Sequence, residues 1–207
     1  MQKRNLIISI IFSSITLFNL VLYIILSSLR VVGVSYIDYL FFLGTFLAIG
    51  VPYIINELCK VNLNTIVVLC YQIFLFLSIV VGSIWKLYSI FEFYDIIMHF
   101  VSGVLIVIIA YSVISNSKNI SANLFWTMLI CFSIAMMCGA VWEIWEFSCD
   151  GILGYNAQHA LGMSGRDAIM DTMIDIICDF VGAIVACVGI AIVKCRMNKK
   201  QRDVKNN

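Results

Sequence analysis

Residues 167–193 read DAIMDTMIDIICDFVGAIVACVGIAIV. The second half is unbroken apolar sequence, while the first places an aspartate at every fourth position, at Asp167, Asp171, Asp175 and Asp179. A helix rises 1.5 Å per residue, so about 20 residues cross a hydrocarbon core of about 30 Å. Asp171–Val193 meets that length and carries carboxylates into it. Five more apolar stretches lie upstream, at about 6–29, 36–55, 63–85, 94–114 and 124–147. None shows two-residue alternation, which predicts helices rather than barrel strands. The expected fold is therefore all-α: an integral membrane bundle of six transmembrane helices with both termini cytoplasmic. It forms one domain over 1–198, and residues 199–207 read as a polar, disordered cytoplasmic tail.

Composition agrees. The chain is 62% hydrophobic and 12% charged over 207 residues, which excludes an ordinary soluble domain. Lys3 and Arg4 precede the first apolar stretch as they would in a signal peptide. The stretch is too long for one and lacks a small-residue cleavage site, so it is expected to stay as the first span.

The loops carry a charge asymmetry. With cytoplasmic termini, the inner side holds Lys3, Arg4, Lys60, Lys118 and the basic residues Lys194, Arg196, Lys199, Lys200, Arg202 and Lys205. The outer side holds only Arg30, Lys86 and Arg166. This bias sets the orientation by the positive-inside rule. Among the acidic residues only Glu57 and Asp203 lie inside; the other ten of twelve fall in the outer half. The net charge of +1 thus conceals a polarised molecule.

Short loops predict antiparallel neighbours. The exception is SCDGILGYNAQHALGMSGR, residues 148–166, a glycine-broken outer segment expected to be either a surface lid or a partly re-entrant loop above the site described below. Pro52 predicts a kink in the second helix. Asn19 and Gln72 read as interhelical hydrogen-bond partners, and Trp85, Trp142 and Trp145 as belt aromatics. The eight cysteines, with no CxxC, read as small buried hydrophobes.

Three helices bring ionisable groups to similar outer depths. YDIIMHFVSG puts Asp95 and His99 four apart, on one face with Gly103. GAVWEIWEFSCD puts Glu143, Glu146 and Asp150 on one stripe, with Gly139 below Glu143. In the opening stretch, Asp171, Asp175 and Asp179 share a broad face, and Gly182, Ala186 and Gly189 form a seam for close helix approach. Asp167 is expected to cap the helix. Taken alone, Asp171 suits a helix N-terminus, Asp95 and Glu146 can reach interfacial water, and His159 reads as solvated. His99, Glu143, Asp175 and Asp179 together are expected to form an outward-facing acidic cup. Their mutual repulsion calls for a bound cation, shared protons or a wet cavity.

These residues also carry a resemblance. YDIIMH, WEIWEF and GRDAIMDTMIDIICDFVGA resemble the YjdF-type family of uncharacterised bacterial inner-membrane proteins, over about Tyr94 to Ala183. They are more distantly similar to the VanZ-like family, named for glycopeptide-antibiotic resistance. That pattern is an aspartate and a histidine four apart, then an arginine and D-x-x-x-N-x-x-G-A. Asp95 and His99 match the first element; Arg166, Asp175, Gly182 and Ala183 match the second, with Asp179 in place of asparagine. Glu143, Glu146 and Gln158 match the paired glutamates and glutamine of the YjdF-type pattern. The resemblance implies a multi-pass protein of the bacterial cytoplasmic (inner) membrane and supports the site without supplying a reaction.

Three functions follow as expectations. The first is binding of a divalent metal, Mg, Mn or Ca, or of a cationic ligand. Its ligands are Asp95, His99, Glu143, Glu146, Asp175 and Asp179, with Gln158, Arg166 and Asp171 nearby. The second is metal-dependent chemistry on a lipid-linked or cell-envelope substrate, with His99, Glu143 and Asp175 as the candidate catalytic residues. The third is cation or proton transport, although no acidic path continues inward from Asp179. The bilayer is the expected partner; no nucleic acid or organic cofactor is.

Overall fold

The computed structural model describes residues 2–33, 35–91, 93–117 and 122–206; for Gln2, Asp203, Lys205 and Asn206 it describes the backbone. Lys118 and the side chains of Asp203 and Lys205, counted above, lie outside the described residues. The chain runs α1 (Gln2–Ser28), α2 (Tyr36–Ile49), α3 (Val51–Cys59), α4 (Thr65–Leu75), a π-helical segment (Phe76–Ile84) and α5 (Leu87–Ile90). It continues through α6 (Tyr94–Asn116), α7 (Leu124–Leu153), a 3-10 turn (Asp167–Ile169) and α8 (Met170–Asn206). The described residues include no strand. Six helical stretches are long and apolar enough to cross a membrane: Lys3–Ser28, Tyr36–Cys59, Thr65–Ile84, Tyr94–Asn116, Leu124–Leu153 and Asp167–Arg202.

Local sequence explains most of the boundaries. Ser35 and Asp38 form a capping box on α2, Ser35 Oγ accepting from Ile37 N and Asp38 Oδ2 from Ser35 N. Asn64 and Asn123 cap α4 and α7, each accepting a backbone N–H. The break expected at Pro52 falls at Gly50, between α2 and α3, because the proline two residues on has no N–H to continue the ladder.

The described residues fall into two compact units, one made of those up to 98 with 115–117, the other of 99–114 with 122–206. The division falls inside α6, whose helix is unbroken from Tyr94 to Asn116.

In the first unit, Tyr23, Phe42, Val80 and Ile84 form a core against which Trp85 packs. Trp85 Nε1 donates to Asn19 Oδ1 at 3.0 Å, so Trp85 belongs to this core rather than to an aromatic belt. Gln72 Nε2 donates to Ser9 Oγ at 3.2 Å and to the Ile49 carbonyl at 3.0 Å, the interhelical role expected of it. The π-helical segment has a visible packing partner. The Tyr88 ring occupies the space a Cβ on Gly82 would take, and the Tyr88 and Ser78 hydroxyls lie 3.1 Å apart. Asp38 is fully buried: Oδ2 accepts from Tyr23 Oη at 2.5 Å and Oδ1 from Lys86 Nζ at 2.8 Å.

In the second unit, α6 and α8 touch backbone to backbone. A Cβ on Gly182 would overlap the Phe100 carbonyl oxygen, and one on Gly103 would overlap that of Asp179. Val107, Ala110, Cys131, Ala135, Ala183 and Ala186 continue the contact as a core shared with α7. The expected small-residue seam therefore holds at Gly182 and Ala186 but not at Gly189, where a Cβ would meet nothing within 4 Å.

Three boundary expectations are corrected. The loop read as starting at Ser148 starts at Gly154, because α7 continues to Leu153 and Gly154 ends it in the left-handed conformation (φ 64°). Asp167 is not a cap: it begins the 3-10 turn and gives its backbone carbonyl to Met170 N. The tail read as disordered is helical as far as Asn206, its basic residues extending α8 beyond the apolar stretch.

Candidate functional site

His99 lies one turn inside α6, four residues after Asp95. The glycine contacts press α6 and α8 together at this level, and α7 brings Glu143 and Gly139 to the same place. Four ionisable side chains meet there with little exposure: His99 at 6%, Glu143 at 5%, Asp175 at 1% and Asp179 at 1%. The expected outward-facing cup is therefore a buried cluster. Close packing of α6 against α8 through glycine holds these side chains away from solvent.

The imidazole is the hub. His99 Nδ1 lies 3.1 Å from Asp179 Oδ2. On its other side Nε2 is 3.9 Å from Glu143 Oε1 and 4.0 Å from Asp175 Oδ2. The Ser102 hydroxyl bonds to Asp179 Oδ1. Gly139 completes the seat, since a Cβ there would stand 2.5 Å from Asp179 Oδ2. Asp179 is thus held on three sides, by a ring nitrogen, a hydroxyl and a glycine backbone.

Because α6 is continuous, Asp95 is carried on the same helix face as His99. Within the second unit, one ring nitrogen of His99 and one oxygen of Asp175 lie within 4.8 Å of each other, part of a His/Asp group able to coordinate a metal ion. Carboxylates are oxygen donors that suit hard divalent cations, while an imidazole nitrogen suits first-row transition ions.

Glu146 is half-buried and accepts from Trp142 Nε1 at 3.0 Å, one turn away on its own helix. Asp171 approaches His159 Nδ1 at 3.3 Å, so His159 is exposed yet in contact with a carboxylate. Gln158 donates from Nε2 to Thr172 Oγ1 at 2.8 Å. Asp150 accepts from the backbone N–H groups of Ala157 and Gln158 at 2.6 and 3.0 Å. These bonds tie the loop after α7 to the ends of α7 and α8. Arg166 is exposed at the start of the 3-10 turn.

Sequence reading missed Ser102 and the role of Gly139 against Asp179. Ser102 sits three residues after His99, a spacing that places it on the same face. Nothing in a serine's identity marks it as the partner of an aspartate 77 residues away.

Fold and site together define an integral, multi-pass, all-α membrane protein with a buried histidine–carboxylate cluster capable of coordinating a metal. The chain belongs to the family described as "Predicted membrane protein (DUF2238)", whose model matches residues 12–196. It is 29% identical over 161 residues to an uncharacterized protein of Thermotoga maritima, covering 77% of this chain and 78% of the relative. No solved structure matches it. The family is an uncharacterised one, and the match does not single out the YjdF-type or VanZ-like families that the motifs resemble.

Proposed function

We propose that the buried cluster binds a divalent cation, with His99 Nε2, Asp175 and Glu143 as its ligands and Asp179 as the residue that orients His99. The observation carrying this reading is the convergence of His99 Nε2 with carboxylate oxygens of α7 and α8, at 3.9 and 4.0 Å, among side chains almost wholly buried. In this arrangement Nδ1–H donates to the Asp179 carboxylate, which puts the ring proton on that side. Nε2 is then the lone-pair nitrogen, facing Glu143 and Asp175. A carboxylate behind a ligating histidine is the usual way such a ring is aimed and its basicity raised.

Size favours a larger ion. Bonds of about 2.3–2.6 Å, typical of Ca²⁺, put neighbouring ligand atoms roughly 3.3–3.7 Å apart, against about 3 Å for Mg²⁺. The distances of 3.9 and 4.0 Å need the smaller closure for Ca²⁺. Three carboxylates around one imidazole also repel one another in a buried place, and a cation relieves that repulsion.

Chemistry on a lipid-linked or envelope phosphate extends this reading: the cation would supply Lewis-acid polarisation of the anion, and His99, Glu143 and Asp175 are the candidates for the acid–base role, each only where it is not a ligand. Transport is the alternative, and Asp179→Asn abolishing cation flux in liposomes would favour it. The charge asymmetry supports placing the cluster toward the outer face of a bacterial cytoplasmic membrane.

The deciding experiment measures bound metal in the purified protein and titrates Mn²⁺, comparing wild type with the double variant Asp175→Asn/Glu143→Gln. One ion per chain in wild type, with nitrogen coupling from His99 in its magnetic resonance spectrum and loss in the variant, is expected. Absence of metal from both, with unchanged cation-dependent stability, overturns the reading.

A further inference from the structure

A second feature of the same unit lies about two turns of α8 beyond the cluster. A groove of about 340 Å³ runs between α6 and α8, with Val104, Ile108 and Tyr111 on one wall and Ala186, Gly189 and Lys194 on the other. Its floor is apolar. It is open where Gly189 lacks a side chain, since a Cβ there would meet nothing within 4 Å. From Ala186 to Lys194 the groove covers about 12 Å of helix axis, most of the roughly 15 Å depth of one leaflet's hydrocarbon.

One end is charged. The Lys194 ammonium sits 5.7 Å from the centre of the Tyr111 ring, within cation–π range. This holds the side chain at the mouth of the groove instead of leaving it to wander. Lys194 ends the apolar stretch of α8, and the exposed Arg196, Lys199, Lys200 and Arg202 follow on the same helix. The groove thus has an apolar body of acyl-chain length and a positive mouth at the level where lipid headgroups begin. Neutral lipid would leave that charge unanswered.

From this complementarity the geometry points to a binding site for one anionic glycerophospholipid, its acyl chain lying over Gly189 and its phosphate on Lys194. Basic pockets between membrane helices recognise anionic headgroups in this way. The site is independent of the metal cluster: no residue lining it takes part in that cluster.

The test uses the full-length protein, stripped of lipid in a neutral detergent and titrated separately with phosphatidylglycerol, phosphatidylcholine of the same chains, and glycerol phosphate. Wild type is expected to bind phosphatidylglycerol roughly fivefold tighter than phosphatidylcholine, the worth of one basic residue at an anionic surface. Lys194→Gln should bring the two lipids level. Gly189→Leu should weaken both while still folding, because it enters open space; Gly189→Ala gives a smaller loss in the same direction. Equal affinity of wild type for the two lipids, full phosphatidylglycerol binding by Gly189→Leu, or glycerol phosphate binding as tightly as the lipid each overturns the proposal.

Discussion

Gly182→Ala and Gly189→Ala make the same chemical change on one helix, seven residues and about two turns apart on nearly the same face. Their outcomes should differ in sign. At Gly182 the new methyl would overlap the Phe100 carbonyl oxygen and crowd Phe100 C at 3.1 Å and Val104 N at 3.3 Å. All three are α6 backbone atoms, which no side-chain rotation can move, so α6 and α8 must separate. Overpacking of this kind costs about 1–3 kcal/mol. At Gly189 the methyl meets open space. Both variants gain the same helix propensity, about 1 kcal/mol for alanine over glycine. That term cancels in the comparison and leaves the clash alone. For a chain of this size each kcal/mol moves the midpoint by roughly 2–4 °C, so the two variants should melt about 2–12 °C apart. Gly189→Ala should lie at or above wild type. Thermal unfolding of the two purified proteins in the same detergent measures it. Gly182→Ala should also weaken Mn²⁺ binding, because α6 and α8 carry His99 and Asp175. Equal melting of the two variants refutes the backbone contact on which the site's geometry depends.

Lys86→Gln removes the ammonium from Asp38 while leaving the Tyr23 and Ser35 bonds in place. Breaking a fully buried pair costs about 3–5 kcal/mol; with the Lys86 side chain 42% exposed, about 1–3 kcal/mol is expected. Adding Asp38→Asn should restore part of the loss, and a Lys86→Gln midpoint within a degree of wild type would remove the pair from the account of stability. Cys59 and Cys195 are exposed, and the positive-inside reading puts both on the cytoplasmic face. A membrane-impermeant maleimide should label them in inside-out vesicles and spare them in intact spheroplasts; the opposite pattern reverses the orientation.

The aspartates of α8 show how far the site was legible. Four-residue spacing placed Asp171, Asp175 and Asp179 on one face, and the glycines below them marked that face as the one a helix would approach. The first holds for Asp175 and Asp179, both buried, and the second at Gly182, which lies against α6, but not at Gly189. The same spacing could not separate their environments. Asp171 meets exposed His159, Asp175 faces Nε2 of His99, and Asp179 grips Nδ1 and Ser102. Those distinctions depend on which residues of other helices arrive opposite each rung. In the first unit, apolar length alone set the start of the second span, and the capping box of Ser35 and Asp38 that makes it is a finding of the structure. That the aspartate would be buried against Tyr23 and Lys86 was not announced, the lysine being 48 residues away.

What the sequence by itself determined is the class of molecule: six apolar helices, their approximate ends, and the three that carry ionisable groups. These follow from local quantities, namely transfer free energy summed along a span and a fixed helical period. Only the tertiary structure decided that the acidic cup is closed. Burial depends on how near two helix axes come, and that distance is set where Gly103 and Gly182 let α6 and α8 touch backbone to backbone. The sequence displays the glycines, but the partner each one meets exists only in the packed chain.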